Sequence, residues 1–240
     1  GTIGAAIARA FGKEGAAVAL LDVNRDAAQS VCSRIDAPCI VLECDVTDKS
    51  AVRRAFDRIC EEFGGIDIVV SNAGAAWMGM IGVVDEAVLR ESFELNFFAH
   101  QTVAQNAIRV MSIQDTGGVL LFNVSKQAIN PGTDFGPYGI PKAATLQLVR
   151  QYALEYGNQG IRVNAVNADR VRGGLLTPEI ITDRAKARGI KEKDYMSGNL
   201  LGREVTADDV AQAFVHQALQ KMTTAGIATV DGGNISAAVR

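Results

Sequence analysis

The chain has 240 residues, 48% of them hydrophobic and 24 of them glycine, enough apolar side chain for one large core and enough glycine for tight turns between many short elements. Its formal net charge of −3 comes from 24 basic and 27 acidic residues interspersed along the sequence, which offers no footprint for a nucleic acid. No apolar run reaches the ~20 residues of a membrane span, and no signal-peptide pattern, repeat or low-complexity tract is visible, so a single cytoplasmic domain with no membrane partner is expected.

In chain order, the opening Gly1-Thr2-Ile3-Gly4 runs into a helical stripe of Ile3, Ile7 and Phe11. It matches the second half of a Gly-x-Gly-x-x-Gly phosphate loop, in which glycine lets the backbone approach pyrophosphate and the helix N-terminus attracts its charge. Gly1, Ile3 and Gly4 are therefore candidate cofactor-binding positions. A strand-like run, Ala17–Leu21, closes on Asp22, about the ~20 residues past the glycines where a carboxylate accepts from ribose hydroxyls. Such a carboxylate repels a 2′-phosphate, so Asp22 favours NAD over NADP, and Arg25 is the one nearby residue able to reverse that preference. An aspartate at a strand end also commonly caps a turn.

Val52, Phe56, Ile59 and Phe63 have the spacing of a helix face packed on a sheet. Ile66–Val70 reads as a buried strand ending in the small-residue turn Ser71-Asn72-Ala73-Gly74, and Val119–Val124 as a second strand. Leu146, Val149, Ala153 and Tyr156 announce a helix opened by Tyr138-Gly139-Ile140-Pro141-Lys142, with Pro141 in its first turn, where a missing N–H costs nothing. Ile161–Val166 is a further strand. The charged segment 173–202, carrying Leu175, Leu176, Ile180 and Ile181, reads as a helical lid over a substrate. Ile227–Val230 is a terminal strand, with Asp231-Gly232-Gly233 as its turn.

This alternation predicts an α/β fold: a Rossmann-like, doubly wound parallel sheet flanked by helices, one domain over 1–240. The first strand of that order lies mid-sheet, and the sequence starts after it. The native polypeptide is therefore expected to extend upstream. Cys32, Cys39, Cys44 and Cys60 show no Cys-x-x-Cys pairing, so reduced thiols are expected, with no metal site. His100 and His216 lack ligand spacing, and neither is expected to be catalytic.

Ser125, Tyr138 and Lys142 carry the chemistry. Residues four apart on a helix share a face, so Tyr138 and Lys142 are expected to point together, with the ammonium lowering the phenol from its usual ~10 toward working pH. Tyr138 is then a candidate general acid/base. Ser125 stands at the carboxyl end of a strand, where open α/β sheets bind their ligands. A lone Tyr-x-x-x-Lys is common on helix faces, but here the glycine opening, Asp22, the Asn72-Ala73-Gly74 turn and the terminal strand fall around it in order.

Together these residues resemble the short-chain dehydrogenase/reductase superfamily from Gly1 to about Gly233. The resemblance implies Tyr138 as acid/base, Lys142 on the nicotinamide ribose, Ser125 on the substrate carbonyl, and Asn96 as the link from the lysine to a water relay. It further implies adenine contacts at Asp45 and Val46, a cofactor-supporting loop at Asn72, Ala73 and Gly74, a nicotinamide contact at Val171, and a homo-oligomer. Asn167-Ala168-Asp169-Arg170-Val171-Arg172 stands where most members place Pro-Gly, and Lys126 follows the serine. This wording resembles the C-terminal dehydrogenase module of two-part aldolase/dehydrogenase proteins of rhamnose-type sugar catabolism. That likeness implies a sugar-derived hydroxy-aldehyde, a polyol or its phosphate as substrate, with an aldolase domain upstream. Lys126, Arg170 and Arg172 either bind an anion or are neutralised by Asp169 and Asp134. The alternatives are a non-catalytic cofactor-binding or scaffolding module and, last, an epimerase or dehydratase.

Overall fold

The computed structural model describes residues 1–234. Six strands are present among them: β1 (Val18–Asp22), β2 (Cys39–Glu43), β3 (Ile68–Ser71), β4 (Gly118–Asn123), β5 (Ile161–Ala168) and β6 (Ile227–Val230). All their pairings are parallel, in the orders β1-β2 and β3-β4-β5-β6. No ladder joins β1 to β3 among the described residues, so each keeps one edge without a strand partner. These are the two edges expected on either side of a mid-sheet strand.

The helices are α1 (Thr2–Lys13), α2 (Arg25–Cys32), α3 (Lys49–Phe63), α4 (Glu86–Phe93), α5 (Ala99–Gln114), α6 (Gly136–Tyr156), α7 (Pro178–Ala187), α8 (Glu192–Met196) and α9 (Ala207–Leu219). They cover both faces of the sheet because β4 and β5 alternate. Leu120, Phe122, Ile161, Val163 and Ala165 face a core shared with α3, α5 and α6. Val119, Leu121 and Val166 face the opposite core, built by Ile7 and Phe11 of α1 and Val210 and Phe214 of α9. Strands covered on both sides need apolar residues at successive positions, which is why their sequences read as continuous hydrophobic runs. The stripes expected from spacing supply the helical side: Val52, Phe56 and Ile59 on α3, and Leu146, Val149 and Ala153 on α6, are buried.

Two expectations are corrected. The helix carrying Tyr138 begins at Gly136 with Pro137 in its first turn, so Pro141 lies inside it rather than in its opening turn. The missing amide at Pro141 deprives the Pro137 carbonyl of its intrahelical donor. Cys32 and Cys39 are joined as a disulfide, not reduced, while Cys44 and Cys60 are free. Cys32 ends α2 and Cys39 starts β2, and the short turn between them brings their Cα atoms to 5.8 Å, a distance that motif spacing does not report.

The segment 173–202 contains α7 and α8, whose Ile181, Ala185, Tyr195 and Met196 form a small cluster apart from the two main cores. No helix among the described residues is long and apolar enough to cross a membrane.

Candidate active site

β4 ends at Asn123 and delivers Ser125 two residues later, where its Oγ accepts from the Gln127 amide (3.2 Å) and caps a short 3-10 turn. Across from it, α6 presents Tyr138 and Lys142 one turn apart, with the Lys142 Nζ 6.0 Å from the centre of the tyrosine ring. All three side chains are buried: Ser125 is 9%, Tyr138 8% and Lys142 3% exposed. The Ser125 hydroxyl neighbours the Tyr138 phenol. The expected convergence is therefore present.

The electrostatics differ from the sequence expectation. Burial pushes the Tyr138 phenol up, and the neighbouring Ser125 hydroxyl pulls it back only in part; the lysine does not lower it. Burial instead pushes the Lys142 ammonium down to about 7. An amine that surrenders its own proton near neutrality is a weak electrostatic partner for a neighbouring phenolate.

Lys142 is held by neutral groups. Its Nζ donates to the Asn123 carbonyl (3.1 Å) and lies 3.2 Å from Nε2 of His100, whose Nδ1 stands 2.6 Å from Ser71 Oγ. Sequence reasoning missed both His100 and Ser71, because the lysine and the histidine are 42 residues apart. The one local signal is that His100 follows Asn96 by a single helical turn.

Asn96 sits in a π turn, Glu94–Phe98, between α4 and α5; such turns widen the ladder and recur at functional sites. Its carbonyl accepts from Thr145 Oγ1 (2.6 Å), and its amide donates to the Ala75 carbonyl (2.8 Å) and to Ser92 Oγ (3.1 Å). Asn96 Oδ1 is buried with no hydrogen-bond partner in the structure. It points toward Gly74, where a Cβ would stand 2.9 Å from that oxygen and 3.3 Å from Lys142 Nζ. Gly74, Asn96 and Lys142 thus line one cradle.

The other candidate cofactor positions are dispersed. Asn72 accepts from Asn123 Nδ2 (2.8 Å) and approaches Gly4, where a Cβ would stand 2.9 Å from Asn72 Nδ2. Ala73 is exposed between Asn72 and Gly74. The α1 ladder starts with the Ala5 amide on the Gly1 carbonyl, which leaves the first amides outside it. Gly1 N lies 3.9 Å from Asp22 Oδ2 at the end of β1, while Asp22 Oδ1 accepts from Asn24 N. The side chains of Ile3 and Val171 pack against the α1/α9 core, and Val46 packs against the α3/α5/α6 core. Asp45 turns its carboxylate onto Thr47 N and Oγ1. A free helix N-terminus beside Asp22, and a glycine cradle with an unpartnered amide oxygen, fit a dinucleotide.

The cations after β4 and β5 do not form an anion site. Lys126 lies 3.6 Å and Arg170 3.5 Å from Asp169, and Arg172 binds Glu204 through two nitrogens at 2.9 and 2.7 Å. Glu204, not Asp134, completes the neutralisation.

Comparison with known proteins identifies the family. A family model described as "Enoyl-(Acyl carrier protein) reductase" matches residues 1–234. The chain belongs to the short-chain dehydrogenase/reductase superfamily. It is 35% identical over 250 residues to the oxidoreductase YuxG of Bacillus subtilis (strain 168), covering 97% of this chain but only 36% of that protein. It is 31% identical to (+)-borneol dehydrogenase 1 of Salvia officinalis, covering 96% of this chain and 88% of the relative. The solved structure of a 7α-hydroxysteroid dehydrogenase complexed with NADH and 7-oxo glycochenodeoxycholic acid superposes with a TM-score of 0.87 at 28% identity, over 97% of this chain and 90% of that one.

Proposed function

We propose that this chain is an NAD-dependent oxidoreductase that interconverts an alcohol and a carbonyl on a small sugar-derived hydroxy-aldehyde, a polyol or its phosphate. The observation that carries the reading is the buried Tyr138 phenol, beside Ser125 and backed by Lys142, at the carboxyl end of the parallel sheet. When bound, NAD supplies or accepts the hydride. The α1 opening at Gly1, Ile3 and Gly4 would hold its pyrophosphate and Asp22 its adenosine ribose, with Asp45 and Val46 toward adenine. Asn72, Ala73, Gly74, Lys142 and Val171 would hold the nicotinamide half.

The chain's own residues handle the substrate oxygen. Tyr138 gives that oxygen a proton in reduction and takes one in oxidation, and the Ser125 hydroxyl steadies its developing charge. Lys142 sits next to Tyr138 as a group that exchanges a proton near neutral pH. Asn96 holds the π turn against α6 and aims Oδ1 toward Gly74.

We read 173–202 as the substrate lid. Arg184 of α7 stacks over Phe135 at 4.4 Å and reaches Met78 Sδ, which ties the segment to the loops around Tyr138. Hydrogen exchange in 173–202 is expected to slow when NAD and substrate are added together, and equal protection would remove the lid. A homo-oligomer in the cytoplasm, with an aldolase part in the same polypeptide, completes the reading; the 36% coverage of YuxG is compatible with such a longer protein.

A screen of small hydroxy-aldehydes, polyols and their phosphates, run with NAD and with NADP, tests the assignment. Turnover with NAD at least about tenfold better than with NADP is expected, because Asp22 opposes a 2′-phosphate. Equal use of both would remove that role for Asp22, and no turnover with any substrate would favour a non-catalytic binding module.

A further inference from the structure

Lys142 is 3% exposed, yet no carboxylate pairs with it among the described residues; the groups that meet its Nζ are the Asn123 carbonyl and one imidazole nitrogen. His100 is equally enclosed, 2% exposed on α5, with its ring bridging Lys142 on α6 and Ser71 at the carboxyl end of β3. Phe122 of β4 packs against the ring at 5.9 Å. Of the elements around it, α6 contributes the titratable groups, Lys142 and, beyond it, Tyr138; β3 contributes a hydroxyl and β4 a phenyl ring and a carbonyl.

We propose that His100 is a positioning residue of this site, holding Lys142 in place through Nε2 and carrying its charge state, as a change of imidazole tautomer, to Ser71. The inference rests on the reading of Lys142 as part of the catalytic machinery.

The donor inventory makes the coupling explicit. An ammonium offers only donors, so Nε2 must accept and the ring proton sits on Nδ1, donating to Ser71 Oγ. A neutral amine offers a lone pair, so Nε2–H can donate to it, and Nδ1 then accepts from the Ser71 hydroxyl. The ring holds one proton in both states; only its position changes. Both arrangements use the distances observed, 3.2 Å and 2.6 Å, without movement of the side chains. Burial and the Lys142 charge both hold the imidazole well below its ordinary range, which keeps the ring neutral while the lysine titrates. Ser71 precedes Asn72, Ala73 and Gly74, so the charge on Lys142 reaches the turn proposed to support the cofactor.

The first test needs no substrate and no bound cofactor. The sequence has two histidines, and His216 is exposed on α9, so protein labelled with 15N at histidine gives two resolvable rings, with His216 as the internal reference. Imidazole spectra between about pH 5.5 and about pH 9.5 should show His100 neutral throughout. The His100 proton should move from Nδ1 to Nε2 with a midpoint at about 7, the value of Lys142. Lys142→Met should abolish the movement, and Ser71→Ala, which removes the acceptor of Nδ1–H, should shift its midpoint to lower pH. A tautomer that stays fixed across the range in the unaltered protein, or an imidazolium forming at His100 within it, would overturn the proposal. His100→Gln, whose amide oxygen can accept from Lys142, should keep the pH profile of turnover closer to that of the unaltered protein than His100→Leu does; equal profiles for the two variants would also count against it. Because the spectra do not depend on turnover, failure of the relay and failure of the enzymatic reading give different results.

Discussion

Lys126 and Lys142 lie on opposite sides of Tyr138 in the sequence, and the fold treats them in opposite ways. Lys126 keeps 18% of its side chain exposed and faces Asp169, which also meets Arg170. The charge in that region is balanced by carboxylates on the loops that it joins, and the cluster ties the turn after β4 to the turn after β5. Lys142 is more deeply enclosed and meets a carbonyl and an imidazole, acceptors that orient an amine without neutralising it. A carboxylate within ~4 Å offsets much of the desolvation of a cation, whereas neutral acceptors leave it to be relieved by losing the proton. The first arrangement builds structure; the second makes a group that changes charge near neutral pH.

The sharpest way to break this contrast is at the partner of the poised amine. Tyr138→Phe is expected to lower kcat by about a hundredfold to about ten-thousandfold, the usual worth of a general acid/base, while NAD binding measured by calorimetry stays close to that of the unaltered protein. Turnover within a factor of a few would leave Lys142 with no proton chemistry to serve.

Next in size is a linkage effect. Lys142 falls from 10.5 to about 7 on folding, so between those values the unfolded chain binds a proton that the folded one does not. Its contribution to stability is therefore best above 10.5, declines as pH falls through that window, and is constant below about 7. Urea unfolding of the protein and of Lys142→Met, compared at several pH values, should show a stability difference changing by about 1.4 kcal/mol per pH unit in the window. A difference independent of pH would mean that Lys142 stays charged, as a carboxylate-paired lysine would.

The smallest effect belongs to the other lysine. Lys126→Met should alter unfolding free energy by about 1 kcal/mol or less and leave kcat/KM unchanged on a phosphorylated substrate and on its neutral analogue. A selective loss on the phosphorylated substrate would show that Lys126 releases Asp169 to bind an anion, and the contrast would need redrawing.

Much of this site was legible because its signals are local. Tyr138 and Lys142 are one helical turn apart, and Ser125 follows a run whose length and composition mark a buried strand. Asp22 stands at a strand end at a recognisable distance from Gly4. The position of Pro141 is not legible because composition does not register where a helix begins; α6 starts at Gly136, two residues before Tyr138, with Phe135 at its N-cap. The Cys32–Cys39 bond was missed because it depends on how tightly α2 turns into β2. The choice of Glu204 over Asp134 as a neutralising group was hidden for a similar reason, since Arg172 and Glu204 meet across the segment containing α7 and α8.

From its residues alone, the chain determined the alternation of strands and helices, the faces they bury, and the spacing of Ser125, Tyr138 and Lys142, because periodicity and short spacings are properties of a local backbone. Tertiary structure decided which groups surround those residues and how far water is excluded from them. His100, Ser71 and Lys142 come from three separate elements, and the charge on Lys142 is set by desolvation that all of them impose together. Desolvation depends on every neighbour in space, and no stretch of sequence contains that sum.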